Sequence, residues 1–245
     1  MKKHKIINLL YWIGTRELAV LLAIFSILFL LWGFAELSEE VMEGETMNFD
    51  EAVLLSMRNP DDLSDPVGPG WFEEVGRDVT ALGGNVVLSI LTIAVFGFLV
   101  LDGKQRVAMV LVVATLGALG VSTLLKKSFD RDRPDLVPHH SRVYTASFPS
   151  GHSMLAASTY LTMGALLARV QRRRRIKAYV LIIGLFLTLI VGLSRIYLGV
   201  HWPTDVLAGW TAGAGWALCC WLLARWLQEH GEIENPEGQL ESAKS

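Results

Sequence analysis

The chain reads as an all-α membrane protein with several spanning helices. Two observations lead there. Hydrophobic residues make up 52% of the 245 residues and charged residues only 19%. The apolar residues also fall in unbroken runs, such as 18–35 and 178–193, that approach the roughly 20 residues needed to cross a bilayer core. A soluble helix would interleave polar residues for its wet face.

Six spans are expected, at about 17–36, 84–101, 106–126, 151–169, 178–197 and 204–227. The first has a basic start (Lys2, Lys3, Lys5), and Gly33-Phe34-Ala35 could serve as a signal cleavage site. Its apolar stretch is longer than a usual signal core, so retention is the preferred reading. The fourth is the least apolar, because it holds Ser153, Ser158, Thr159 and Thr162. Hydroxyls in a span are costly against lipid, so this helix belongs inside the bundle or lines a site. In the sixth, Gly209, Gly213 and Gly215 suit close helix approach, read here as intramolecular packing. The adjacent Cys219 and Cys220 cannot readily pair on a helix and read as small core residues. One domain, 1–228, is followed by a polar, acidic tail at 229–245.

Orientation follows from Lys and Arg in the short connections. Lys2, Lys3, Lys5 and Arg16 precede the first span, Lys104 and Arg106 join the second to the third, and the run from Arg169 to Lys177 joins the fourth to the fifth. All fall on one side if six spans alternate. That side is cytoplasmic, with both termini there, which suits a protein of the inner (cytoplasmic) membrane. The run Arg172 to Arg175 is read as a topology anchor that also meets lipid headgroups, and not as a nucleic-acid site. The opposite side receives 37–83, 127–150 and 198–203. The first of these is acidic, with Glu39, Glu40, Glu43, Glu45, Asp50, Asp61, Asp62 and Asp65. Phe72, Val75, Val79 and Leu82 recur in it at helical spacing, which predicts a short amphipathic surface helix packed over the bundle; 50–58 is a second candidate.

Three polar clusters interrupt the apolar pattern, all on the extracytoplasmic side. The first runs Lys126-Lys-Ser-Phe-Asp-Arg-Asp-Arg133-Pro134, the second Pro149-Ser150-Gly151-His152, and the third Ser194-Arg195 through His201-Trp-Pro-Thr-Asp205. Ser150 is a good helix N-cap, Gly151 lets backbone approach a ligand, and a helix N-terminus attracts anions. Pro203 suits the first position of a helix, so His201 lies in the turn ahead of it and Asp205 in its first turn. The carboxylate could then accept from one imidazole nitrogen and leave the other as a lone-pair nucleophile. A surface His–Asp pair at a helix start is the competing reading of that cluster alone.

Lys126, Arg133 and Arg195 sit at the extracytoplasmic ends of spans, against the positive-inside tendency. A phosphoryl group would account for them, since Arg grips it through a planar fork and Lys as a point charge. For Lys127 and Arg131 the preferred reading is local ion pairing with Asp130, Asp132 and Asp135.

Taken together, Lys-x6-Arg-Pro, Pro-Ser-Gly-His and Ser-Arg-x5-His-x3-Asp resemble the three motifs of the type 2 phosphatidic acid phosphatase (PAP2) superfamily. They match in order at every key position, from Lys126 to Asp205, about a third of the chain. The resemblance implies that His201 attacks phosphorus to form a phosphohistidine, that Asp205 orients it, and that His152 protonates the leaving oxygen and then activates water. It also implies a phosphate cradle of Lys126, Arg133 and Arg195 with Ser150 and the Gly151 amide. Three cations and a helix N-terminus supply the charge stabilisation that phosphoryl transfer needs, so no metal or other cofactor is expected.

The function implied is hydrolysis of a lipid phosphomonoester or diphosphate at the extracytoplasmic face. The lipid-phosphate substrate and the bilayer are the partners, with undecaprenyl diphosphate first choice and phosphatidylglycerophosphate or phosphatidate next. A lipid phosphotransferase would use the same site with a different acceptor. A non-catalytic transporter or lipid-binding protein would fit six spans but has no need of the complete residue set. A vanadium-dependent peroxidase is disfavoured by the membrane spans. His139 and His140 are weaker candidates, read as exposed loop residues or headgroup contacts, and Tyr197 is read as packing against or lining the pocket.

Overall fold

The computed structural model describes residues 2–138, 146–171 and 173–229, with side chains from residue 17 to 228 except at 170. The expectations for His139 and His140, and for the tail beyond 229, lie outside the described residues. Among the described residues there are eight helices: α1 (Lys2–Glu43), α2 (Met47–Leu55), α3 (Gly70–Ala81), α4 (Asn85–Leu101), α5 (Gln105–Ser128), α6 (Gly151–Val170), α7 (Arg174–Tyr197) and α8 (Pro203–Glu229). A small antiparallel hairpin, β1 (Arg58–Asn59) with β2 (Asp62–Pro66), lies between α2 and α3.

The chain is mostly helical with apolar helices suited to a membrane, as expected, apart from the small hairpin, but the count of six apolar spans does not follow from the helices themselves. Among the described residues, four helices (α1, α5, α7 and α8) are long and apolar enough to cross a membrane. A fifth appears only if α3 and α4, bent by 50° at the turn between them, act as one span. The reasons differ for the two shortfalls. With 17 residues α4 is short on its own, and α6 is not apolar enough.

That polarity has a structural cause. Helix α6 packs against α5, α7 and α8 at the centre of the bundle. Ser153, Ser158, Thr159 and Thr162 are all buried, as their cost against lipid demands. Ser158 donates to the Ala114 carbonyl of α5 at 3.0 Å. On the opposite side, the glycines of α8 allow near backbone contact. A Cβ at Gly209 would lie 2.6 Å from the Ser150 carbonyl, and one at Gly213 would lie 2.4 Å from that of Met154. The small-residue spacing of α8 therefore serves intramolecular packing, as expected. Cys220 is buried with Val110, Ala114 and Ala224, whereas Cys219 is exposed and not a core residue.

The helix expected around Phe72 to Leu82 is α3, and the second candidate begins and ends earlier than 50–58, as α2. Helix α3 packs on α7. At the α3–α4 turn, the Tyr160 hydroxyl of α6 donates to the Leu82 carbonyl at 2.7 Å. A Cβ at Gly83 would meet Val191 at 2.4 Å and the His152 carbonyl at 3.2 Å, so this turn closes over the start of α6. The starts of α6 and α8 and the ends of α5 and α7 thus share one end of the bundle.

Candidate active site

All eight candidate residues lie at that end. Ser150 caps α6 as expected: its hydroxyl accepts from the Ser153 amide at 3.5 Å and from the Ser153 hydroxyl at 2.9 Å. Its own amide donates to the Asp205 carbonyl at 2.9 Å, which ties the start of α6 to the first turn of α8. A Cβ at Gly151 would lie 3.3 Å from the Lys126 side chain, so the lysine runs along this helix start. The Lys126 ammonium donates to the Ala146 carbonyl at 2.7 Å.

His201 is buried in the turn before α8. Its Nδ1 lies 3.3 Å from Asp205 Oδ2, and its Nε2 lies 3.2 Å from Arg133 Nη1. A guanidinium only donates, so Nε2 is the acceptor and Nδ1 carries the hydrogen that faces the carboxylate. This is the arrangement the four-residue spacing suggested. Burial pushes the His201 pKa down to about 3, and Arg133 and Arg195 act in the same direction against the opposing pull of Asp205. The ring is therefore a neutral base with its lone pair toward the cations.

Asp205 is fully buried and saturated with donors. Oδ2 accepts from the Ser147 hydroxyl, from the Trp202 amide at 2.9 Å and from His201, while Oδ1 accepts from Arg131 Nη1 at 2.7 Å. Arg131 and Ser147 were not among the candidates. Arg131 is an ion-pairing residue, but its partners are not the neighbouring Asp130, Asp132 and Asp135. It bridges Asp205 and the buried Asp50. Its guanidinium also lies over the Trp202 ring, 5.7 Å from the centroid. Lys127 is exposed.

The three cradle cations are held differently. Arg133 Nη1 donates to the Val200 carbonyl at 2.6 Å, and burial lowers the pKa of its guanidinium. Arg195 is only 2% exposed. Its Nη1 donates to the Thr80 hydroxyl of α3 at 2.8 Å, and its Nε has no hydrogen-bond partner among the described residues. A buried cation that is bonded to a neutral hydroxyl and lies in the field of the like-charged Arg133 is unfavourable until an anion arrives. His152, half-buried in the first turn of α6, interacts electrostatically with Arg195, His201, Lys126 and Arg133. Two imidazoles, three cations and a capped helix N-terminus therefore converge, which is a set of groups suited to a phosphoryl group.

Beside this cluster an apolar groove of about 410 Å³ runs between α3 and α7, lined by Met57, Phe72, Val75, Val79, Leu193 and Tyr197. Tyr197 both packs and lines: its ring meets Phe72 edge-on, and its hydroxyl donates to the Val67 carbonyl at 3.2 Å. Ser194 also lines the groove, and Arg195 follows it in the chain.

A helical membrane bundle with this cluster at one end defines a class, and the chain belongs to the PAP2 superfamily, whose family model matches residues 107–229. Among particular relatives, it is 36% identical over 148 residues to phosphatidylglycerophosphatase B of Bacillus subtilis (strain 168), covering 58% of this chain and 70% of the relative. It is 28% identical over 178 residues to lipid A 1-phosphatase of Rhizobium etli, covering 62% and 72%. The crystal structure of a transmembrane PAP2 type phosphatidylglycerolphosphate phosphatase from Bacillus subtilis superposes with a TM-score of 0.75 at 26% identity, covering 83% of this chain and 98% of that one.

Proposed function

We propose that this protein hydrolyses a lipid phosphate at the extracytoplasmic face of the inner membrane through a phosphohistidine on His201. The observation that carries the reading is the His201 ring itself. Its Nδ1 faces Asp205, and its Nε2 faces the cation cluster.

In the first step, Nε2 of neutral His201 attacks phosphorus while the bond to the leaving oxygen breaks. His152 gives that oxygen a proton. The negative charge of the phosphoryl group favours a proton on His152 even beside Lys126, Arg133 and Arg195. Asp205 supports the positive charge that develops on the His201 ring. In the second step His152 takes a proton from water, the water oxygen attacks phosphorus, and the P–N bond breaks to release phosphate and neutral His201. Arg133, Arg195, Lys126, the Ser150 hydroxyl and the Gly151 amide hold the equatorial oxygens, where charge stabilisation has most effect.

The groove between α3 and α7 supports a substrate with a hydrocarbon chain next to its phosphate. Phosphatidylglycerophosphate now ranks ahead of undecaprenyl diphosphate. The B. subtilis relative is named for it, and the solved structure from the same species is that of a phosphatidylglycerolphosphate phosphatase. Topology with six crossings and both termini cytoplasmic is part of the same proposal. The basic connections α4–α5 and α6–α7 sit at the end of the bundle opposite the site, as positive-inside orientation requires.

Phosphate release by purified protein from phosphatidylglycerophosphate, undecaprenyl diphosphate and phosphatidate tests it. Release from one or more of these lipids, lost in His201→Ala, is the expected result. No release from any of them, or transfer only to an added lipid acceptor, overturns hydrolysis as the reaction.

A further inference from the structure

Asp50 lies outside all three motifs and outside the family-matched segment, in the short helix α2 on the site's side of the bundle. Nothing in its surroundings resembles a surface acid. Its side chain is fully buried. Oδ1 accepts from the Thr204 amide at 2.9 Å. Oδ2 accepts from the Thr204 hydroxyl at 2.7 Å, from Arg131 Nη2 at 2.7 Å and from the Thr46 hydroxyl at 3.1 Å. Two of these donors belong to the first turn of α8, the turn that carries Asp205 and follows His201. A third belongs to the arginine that holds the other oxygen of Asp205.

We infer that Asp50 is a positioning residue for the nucleophile, acting on His201 through Arg131 and Asp205. The inference rests on the reading that His201 attacks phosphorus.

Geometry and charge both argue for it. Arg131 forms one fork that spans Asp50 and Asp205, so the position of the Asp205 carboxylate depends on where Asp50 anchors the guanidinium. The charges of Asp50, Arg131 and Asp205 sum to one negative charge. Without Asp50, Arg131 would be neutralised by Asp205 alone, and Asp205 would have less charge left to support a cationic His201. Without Arg131, two buried carboxylates would face one another with no cation between them. Removing both restores the original sum.

A merely structural acid would give a different pattern. Its loss would lower the amount of folded enzyme and leave kcat per folded molecule unchanged. A positioning acid changes the chemical step in enzyme that is folded and still binds substrate.

The test compares Asp50→Asn, Arg131→Met and the double variant Asp50→Asn/Arg131→Met. Each is purified in detergent, checked for a cooperative melt and assayed on the lipid that the parent protein hydrolyses. Asp50→Asn is expected to lower kcat by about 10–100-fold, the range typical of groups that orient a reacting residue, with KM nearly unchanged. The double variant is expected to be more active than either single one. Unchanged kcat in Asp50→Asn, or a double variant with the additive loss of the two singles, overturns the inference. His201→Ala is run alongside. If His201→Ala turns over, the underlying reading fails. If His201→Ala is inactive while Asp50→Asn is fully active, only the role of Asp50 fails.

Discussion

Asp205 meets His201 through a single carboxylate oxygen, Oδ2, at 3.3 Å, and gives its other oxygen to Arg131 at 2.7 Å. The carboxylate is thereby fixed on both sides while one oxygen remains directed at the imidazole. Asp205→Asn would preserve the shape but remove the charge, and its amide could present a donor to His201 Nδ1–H. The expected outcome is a fall in kcat of about 10³–10⁴-fold, as for the orienting acid of a Ser–His–Asp triad, with substrate binding retained. Steady-state kinetics on the folded variant checks this.

Burial places the pKa of His201 near 3, well below the ordinary imidazole value. The sign is simple. Protonation removes the lone pair, so the acid limb assigned to His201 lies at the lowered pKa, and the base is ready at every pH above it. kcat/KM, corrected for the ionisation of the substrate's own phosphate, should therefore show no acid limb between pH 7 and pH 5. In kcat, which reports the complex, loss of the proton from His152 gives the alkaline limb and protonation of His201 the acid limb, the bell of a coupled pair. An acid limb centred near 6.5 that disappears with Asp205 would contradict this assignment.

Arg195 is a buried cation whose described partner is the neutral Thr80 hydroxyl. Arg195→Met should lower kcat by about 10²–10³-fold, the loss typical of one charge-stabilising donor, while leaving stability unchanged or raised, because the variant buries no uncompensated charge. Arg195→Lys should restore little, since a point charge cannot reproduce the fork. Thermal melts and kinetics of both variants separate the two effects.

How much of this was legible in the sequence differs by residue. His201, Asp205, Ser150 and the three cations were visible because span boundaries and short motif spacings determine where they fall. The interior place of α6 was visible in its hydroxyls. Asp50 was not, because its partners Arg131 and Thr204 lie 81 and 154 residues away and its own segment looks like an ordinary acidic loop. Arg131 was misjudged for a related reason: three acids surround it in the chain, yet the fold turns it inward to Asp50 and Asp205. The count of spans was blurred by the same polarity that places α6 at the centre.

The glycines of α8 give a test of that packing. Gly213→Leu places its Cβ 2.4 Å from the Met154 carbonyl and 2.7 Å from the Ala157 side chain, both on α6. Overpacking of this kind costs about 1–3 kcal/mol or more, and a lower Tm in detergent is expected. Gly215→Ala is the control, because its nearest neighbour, Leu30, would lie 3.9 Å away and no loss of Tm should follow.

Three cations and a helix N-terminus supply the charge that the transferred phosphoryl group needs, so hydrolysis should persist in excess chelator. Activity that vanishes in chelator and returns with added magnesium would overturn a cradle made of protein groups alone.

The central claim is that His201 carries the phosphoryl group, and trapping that intermediate tests it most directly. The protein is mixed with lipid labelled in its phosphate, quenched in alkali within the first turnover, digested and mapped. The account predicts an acid-labile, alkali-stable label on the peptide that contains His201, and none in His201→Ala. Label on any other residue, or turnover that survives in His201→Ala, would contradict it.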